Sequence, residues 1–196
     1  MIVLTGSIAT GKSSTCKILK KHGFTVVDAD EIAKKLIDAK VIKKLFGSKY
    51  VNGNEIDRKA LGNLIFNNSD KREMLNSYIH PLIREEIYKQ VLSLEVKKIK
   101  YIVDIPLYFE SAQYDAKMVI LVYCPKELQI KRLMSRDGLN YHDALIRVNS
   151  QMNIEEKKRK ADYIIDNSSN EIYLESEVEK FMVYLTHFFL EKSRFS

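Results

Sequence analysis

Apolar residues along the chain fall into two rhythms that alternate almost from the first position. Continuous runs at Ile2-Val3-Leu4, Phe24 to Val27, Tyr101 to Leu107, Met118 to Tyr123 and Asp162 to Asp166 have the length and composition of strands buried on both faces. Helical spacing fills the gaps: Lys12 to His22 ending at Gly23, Glu31 to Ile37, a segment closed by Leu45-Phe46-Gly47, Asp57 to Phe66, and Asp70 to Val96. It resumes from Pro125 to Gly138, over Asn140 to Gln151, and over Ile172 to Leu190. Pro81 interrupts the longest of these and predicts a kink or split near His80. Ser48 to Asn54, with Asn52-Gly53, reads as a turn or hairpin. No strand signal lies between the second and third apolar runs, so residues 39–97 are expected to form a helical insertion. Strand alternating with helix predicts an α/β fold of three layers (α/β/α) around a five-stranded parallel sheet. Phe181, Leu185, Phe188 and Phe189 fall on the inward stripe of the last helix, as core packing.

The junction of the first strand and first helix carries the chemistry. Gly6-Ser7-Ile8-Ala9-Thr10-Gly11-Lys12-Ser13 fits G-x-x-x-x-G-K-[ST], a loop whose backbone N–H groups converge on phosphate at a helix N-terminus. Lys12 would reach the β- and γ-phosphates and the Ser13 hydroxyl would ligate Mg²⁺. Two further acids stand at strand ends. Asp28-Ala29-Asp30 ends the second strand, where parallel sheets present ligands, although Asp30 could equally cap the next helix. Asp104 ends the third, placed either to hold a magnesium water or to make the turn before Pro106. Lys131, Arg132, Arg136 and Arg147 ride on the two helices after the fourth strand, where a closing lid is expected at about 132–155.

Composition narrows the partners. With 32 basic and 26 acidic residues the formal charge is +6, which suits a polyanionic small ligand. The lysines are scattered and no basic face is interleaved with aromatics, so nucleic acid is not expected. No apolar stretch has the length of a membrane span, and the first residues lack the basic region and cleavage site of a signal peptide. Cys16 and Cys124 have neither metal nor redox spacing, consistent with a reducing cytoplasm. One domain, residues 1–196, is expected, as a monomer or weak homo-oligomer.

A phosphate loop alone does not separate a kinase from a nucleotide switch. The Asn-Lys-x-Asp element of guanine readers is absent from the sequence. A carboxylate pair, a helical insertion and a basic lid are the parts with which a small-molecule kinase dries and aligns an acceptor hydroxyl. Beyond these parts, GSIATGKS at 6–13, VVDAD at 26–30, DRKALGNLIF at 57–66, IHPLI at 79–83, DIPLYFES at 104–111, VYCPKELQIKRLMSRDG at 122–138 and QMNIEEKKRKADYIIDN at 151–167 together resemble the dephospho-CoA kinase family over nearly the whole length. The resemblance implies transfer of the ATP γ-phosphoryl group to the ribose 3′-hydroxyl of dephospho-CoA. It implies Asp30 as general base and Lys12 and Arg136 as catalytic partners, with Ser13 and Asp28 or Asp104 organising Mg²⁺. ATP would be bound by Gly6, Ala9, Thr10, Gly11, Lys12, Ser13, Ser14, Arg136 and Asn167. Dephospho-CoA would be held by Asp30, His80, Arg84, Leu107 and Phe109. Ser7, and the pair Ala9-Thr10, stand where the family commonly has other small residues; only the framing glycines are expected to be demanded by backbone geometry.

Overall fold

A computed structural model describes residues 1–111 and 113–194, with side chains described to residue 188. It divides into two compact units, Met1–Val27 with Leu94–Ser196, and Asp28–Ser93. The first unit holds the sheet. β1 (Ile2–Gly6) is central, paired in parallel with β5 (Tyr101–Asp104) on one side and β6 (Met118–Tyr123) on the other. β7 (Tyr163–Asp166) lies parallel outside β6, and β2 (Thr25–Asp28) completes the order β2-β5-β1-β6-β7. This is the expected five-stranded parallel sheet.

Alternation within the strands divides their side chains between two faces. Ile2 and Leu4 of β1, Ile102 of β5, Met118, Ile120 and Val122 of β6 and Ile165 of β7 point to one side. There they pack with Cys16, Ile18 and Leu19 of α1 (Lys12–Lys21) and Leu174, Val178, Phe181 and Leu185 of α10 (Glu171–Arg194). Val3, Val103, Val119 and Leu121 are buried as well, which is why these strands read as continuous apolar runs. Phe188 packs at the edge of the cluster; the side chain of Phe189 lies outside the described residues. α7 (Lys126–Asp137) begins after Pro125 and ends at left-handed Gly138, and α8 (Tyr141–Asn149) follows with Asn140 as its N-cap. Two short helices come without a clear apolar period: α6 (Tyr108–Ser111) and α9 (Ile154–Lys160).

The second unit is mainly helical. α2 (Ala29–Leu36), α3 (Ala39–Phe46) and α4 (Arg58–Asn67) are capped by Asp28, Asp38 and Asp57; one carboxylate oxygen accepts two backbone N–H groups at Asp28 and one each at Asp38 and Asp57. The cap of α2 is therefore Asp28, and the alternative of Asp30 as the capping residue is excluded. A 3₁₀ turn (Ser48–Tyr50) leads into a two-residue hairpin, β3 (Val51–Asn52) with β4 (Glu55–Ile56), turning at Gly53 with φ 64°. Ile42, Leu61 and Leu75 form the unit's core.

α5 runs unbroken from Ser69 to Val96 through Pro81, so the predicted split near His80 does not occur. Pro81 removes one amide and crowds the carbonyl four residues before it, at about 3 kcal/mol. Leu75, Ile79, Ile83, Ile87 and Val91 are all buried at four-residue spacing on both sides of the proline. Each buried aliphatic contributes about 1.5–3 kcal/mol, so this stripe outweighs the break.

Candidate phosphate-binding site

The loop between β1 and α1 has the shape its glycines require. Gly11 sits at φ 93°, and a Cβ there would lie 1.9 Å from Asn167 Nδ2. A Cβ on Gly6 would lie 2.7 Å from Thr10 Oγ1 and 3.1 Å from the Val122 carbonyl oxygen. A tight turn joins them, in which the Thr10 N–H and hydroxyl both donate to the Ser7 carbonyl, at 3.2 and 2.8 Å. Ala9 within that turn adopts φ 61°, the left-handed region that costs an L-residue roughly 1–2 kcal/mol. The framing glycines are therefore not the only positions with a backbone demand. Gly11 caps α1 without any side-chain acceptor, so the helix presents unsatisfied N–H groups and its positive end, the arrangement that binds phosphate.

Lys12 Nζ lies 2.5 Å from Asp104 Oδ1, and the Cys16 thiol donates to Asp104 Oδ2 at 3.4 Å. Asp104 is only 4% exposed, and a carboxylate so buried is tolerable because a cation meets it. Ser13 and Ser14, next in the helix, are exposed. On the other flank the Arg132 guanidinium donates to the Asn167 carbonyl at 2.9 Å and, more weakly, to the carbonyls of Thr10 at 3.4 Å and Ala9 at 3.5 Å. Asn167 Nδ2 donates to the Thr10 carbonyl at 2.8 Å, and Gln151 Oε1 accepts the Ile8 N–H at 2.8 Å. Ile8 and Ala9 also pack against Ile130, Leu133, Ala144 and Val148 of α7 and α8.

Of the sequence candidates, Gly6, Ala9, Thr10, Gly11, Lys12, Asp104 and Asn167 thus come together. Arg136 does not reach the loop in this structure. It grips Asp137 with Nε at 2.7 Å and Nη2 at 2.9 Å, while Arg147 approaches the same carboxylate at 3.3 Å. The Arg136 guanidinium holds Asp137 below the usual carboxylate range. Leu107 is exposed and Phe109 half-buried, edge-on to Tyr108. Asp28, Asp30, His80 and Arg84 belong to the second unit. There Asp30 is exposed in the first turn of α2, while His80 and Arg84 are half-buried one turn apart on α5. Burial pushes the His80 imidazole below its ordinary pKa. Sequence reasoning missed Gln151 and the pair Glu110–Lys157 behind it, for Lys157 is one of four consecutive basic residues and nothing in the pattern marks it as buried.

Comparison with known protein families matches residues 1–172 to the one described as Dephospho-CoA kinase. The chain belongs to that family. A dephospho-CoA kinase of Sulfurimonas denitrificans is 41% identical over 193 residues, 97% of this chain and 96% of the relative. Among solved structures, the dephospho-CoA kinase from Campylobacter jejuni superposes with a TM-score of 0.72 at 36% identity, covering 94% of this chain and 96% of that one. A Thermus thermophilus protein gives 0.78 at 30% identity, with 94% and 96% covered. The fold is accordingly that of the P-loop kinases, and membership makes the chain an ATP-dependent kinase with a hydroxyl acceptor. Among the described residues no helix is long and apolar enough to cross a membrane.

Proposed function

We propose that the γ-phosphoryl group of ATP passes to the ribose 3′-hydroxyl of dephospho-CoA with Lys12 at the donor and Asp30 at the acceptor, yielding CoA and ADP. This is the last step of coenzyme A biosynthesis, and the observation that carries the residue assignment is the loop itself. Its open helix end and the adjoining Lys12–Asp104 pair form a donor site for a polyphosphate. Lys12 exchanges Asp104 for the phosphates and offsets charge on the transferred group. Asp30 accepts the hydroxyl proton as the new P–O bond forms and the bond to ADP breaks. Arg136 and Arg132 draw over the triphosphate from α7, and Asn167 lies beside the base.

Residues 39–97, with His80 and Arg84, form the acceptor-binding insertion, and Leu107 and Phe109 complete that site; residues 132–155 form the lid. The available metal donors, the Ser13 hydroxyl and the carboxylates of Asp28 and Asp104, are hard oxygens that suit Mg²⁺. Among the described residues no cluster of three or more His, Cys, Asp or Glu could hold a metal alone, which suits an ion that arrives with its nucleotide and water. Bound there by Ser13 with Asp28 or Asp104, Mg²⁺ would supply charge neutralisation on the β- and γ-oxygens. The enzyme works in the cytoplasm as a monomer or weak homo-oligomer.

An ADP-release assay with ATP, Mg²⁺ and dephospho-CoA, run beside adenosine, AMP, uridine monophosphate and shikimate, tests the reading. Turnover with dephospho-CoA alone, giving a product that comigrates with CoA, is expected. Turnover with another acceptor and none with dephospho-CoA refutes it.

A further inference from the structure

A relay of contacts ends on the phosphate loop from the segment that follows α8. The Ile8 N–H donates to Gln151 Oε1 at 2.8 Å, and the next amide along, Met152 N–H, donates to Glu110 Oε1 at 3.1 Å. That same oxygen lies 2.8 Å from Lys157 Nζ, an ion pair without hydrogen-bond geometry. Lys157 is fully buried, whereas its neighbours Arg159 and Lys160 are exposed. Burying an ammonium group is costly unless an opposite charge meets it. What it holds is Glu110, on the helix that follows the strand of Asp104, and through it the amide beside Gln151.

The loop needs such a hold. Ala9, the residue after Ile8, sits in a left-handed conformation that an alanine does not favour. An untethered Ile8 would let the turn relax there and swing the following N–H groups out of line.

We propose that Gln151 is a positioning residue for the donor site, with the Glu110–Lys157 pair fixing it, so that the loop is ordered for ATP before ATP arrives. The proposal rests on the reading of the loop as the ATP site, and it gives Gln151, Glu110 and Lys157 individual roles that this reading does not assign. Because Gln151 comes just after Ser150, the C-cap of α8, the relay also ties the return end of the lid to the loop that the lid serves. Order held in advance lowers the entropy cost of binding.

The test is calorimetric affinity for Mg·ATP with no acceptor present, so that it does not depend on which alcohol is phosphorylated. Gln151→Met, which keeps the bulk and removes the acceptor, is expected to bind ATP about tenfold more weakly, the worth of one hydrogen bond. Its melting temperature and its KM for dephospho-CoA should stay near those of the wild type. Gln151→Asn, shorter by a methylene, serves in its place if the methionine variant does not fold. Glu110→Gln with Lys157→Met keeps an oxygen for the Met152 amide and leaves no charge buried alone; it should bind ATP within about threefold of wild type. Glu110→Ala with Lys157→Met removes that oxygen and should weaken ATP binding. Adding Gln151→Met to it should weaken binding no further, because both act through one amide. An affinity within threefold of wild type in folded Gln151→Met overturns the proposal, and so do penalties that add in full. If the wild type itself fails to bind ATP, it is the reading of the loop that fails.

Discussion

Replacing Gly11 by alanine tests the shape of the phosphate loop at its tightest point. Two costs add. Alanine at φ 93° is strained by roughly 1–2 kcal/mol. Its Cβ would also stand 1.9 Å from Asn167 Nδ2 and 3.2 Å from Asn167 Cγ, so the amide must move. Asn167 is 6% exposed and its Nδ2 is committed to the Thr10 carbonyl at 2.8 Å, hence moving it forfeits a buried hydrogen bond worth about 1 kcal/mol. The loop relaxes instead of bearing the sum, and ATP must restore its shape on binding. About 2–3 kcal/mol corresponds to a roughly 30- to 150-fold loss of ATP affinity, read by calorimetry. The partner variant Asn167→Ala should by itself cost about fivefold, from the lost bond alone. In the double variant the clash is gone and only the backbone strain and the lost bond remain, so its penalty should fall below the product of the single ones. ATP affinity within threefold of wild type in Gly11→Ala, or strict additivity with Asn167→Ala, would refute this account of the glycine.

Other outcomes follow from the same geometry. Asp30→Asn should lower kcat by about 10²–10⁴ with ATP affinity unaltered, as loss of a general base does; near-normal turnover removes Asp30 from that role. Lys12→Met leaves the buried Asp104 carboxylate without its cation and should cost roughly 2–4 kcal/mol of stability in chemical denaturation. Adding Asp104→Leu should restore much of the stability but none of the activity. Burial pushes the Cys124 thiol up to about 11 from 9.0, so the folded state holds this proton more tightly than the unfolded chain does. The contribution to stability is intact below pH 9 and is lost as pH rises from 9 through 11; Cys124→Ala should flatten that part of the profile, and the native thiol should resist alkylation at pH 8. The His80 shift has the opposite sense: the unfolded chain binds the proton better, so stability falls as pH drops below about 6.5. His80→Gln should remove that part of the acid slope in pH-dependent melting.

The loop, strand succession and most helix limits were legible in chain order because they rest on local physics. A period of apolar residues reports burial, glycine reports a backbone that no side chain allows, and aspartate reports a helix start. Where local signals conflicted, tertiary packing decided. Pro81 looks like a break until the buried column from Leu75 to Val91 is seen to continue past it. Spacing allowed Asp30 as the cap of the helix after the second strand, and only the backbone course gave that place to Asp28, which accepts the N–H groups of Asp30 and Glu31.

Chain order alone sufficed for a P-loop kinase fold and for a family whose motifs run over nearly the whole length of the chain. Distance between remote residues needed the folded molecule. That Arg132, rather than Arg136, rests on the loop, that Asp104 holds Lys12, and that a lysine in a basic run is fully buried against Glu110 are facts about segments far apart in sequence. Side-chain identity carries no record of which distant carboxylate or carbonyl will face it; that is set by how the strands and helices stack, and by the cost of leaving a charge or an amide unmet once they do.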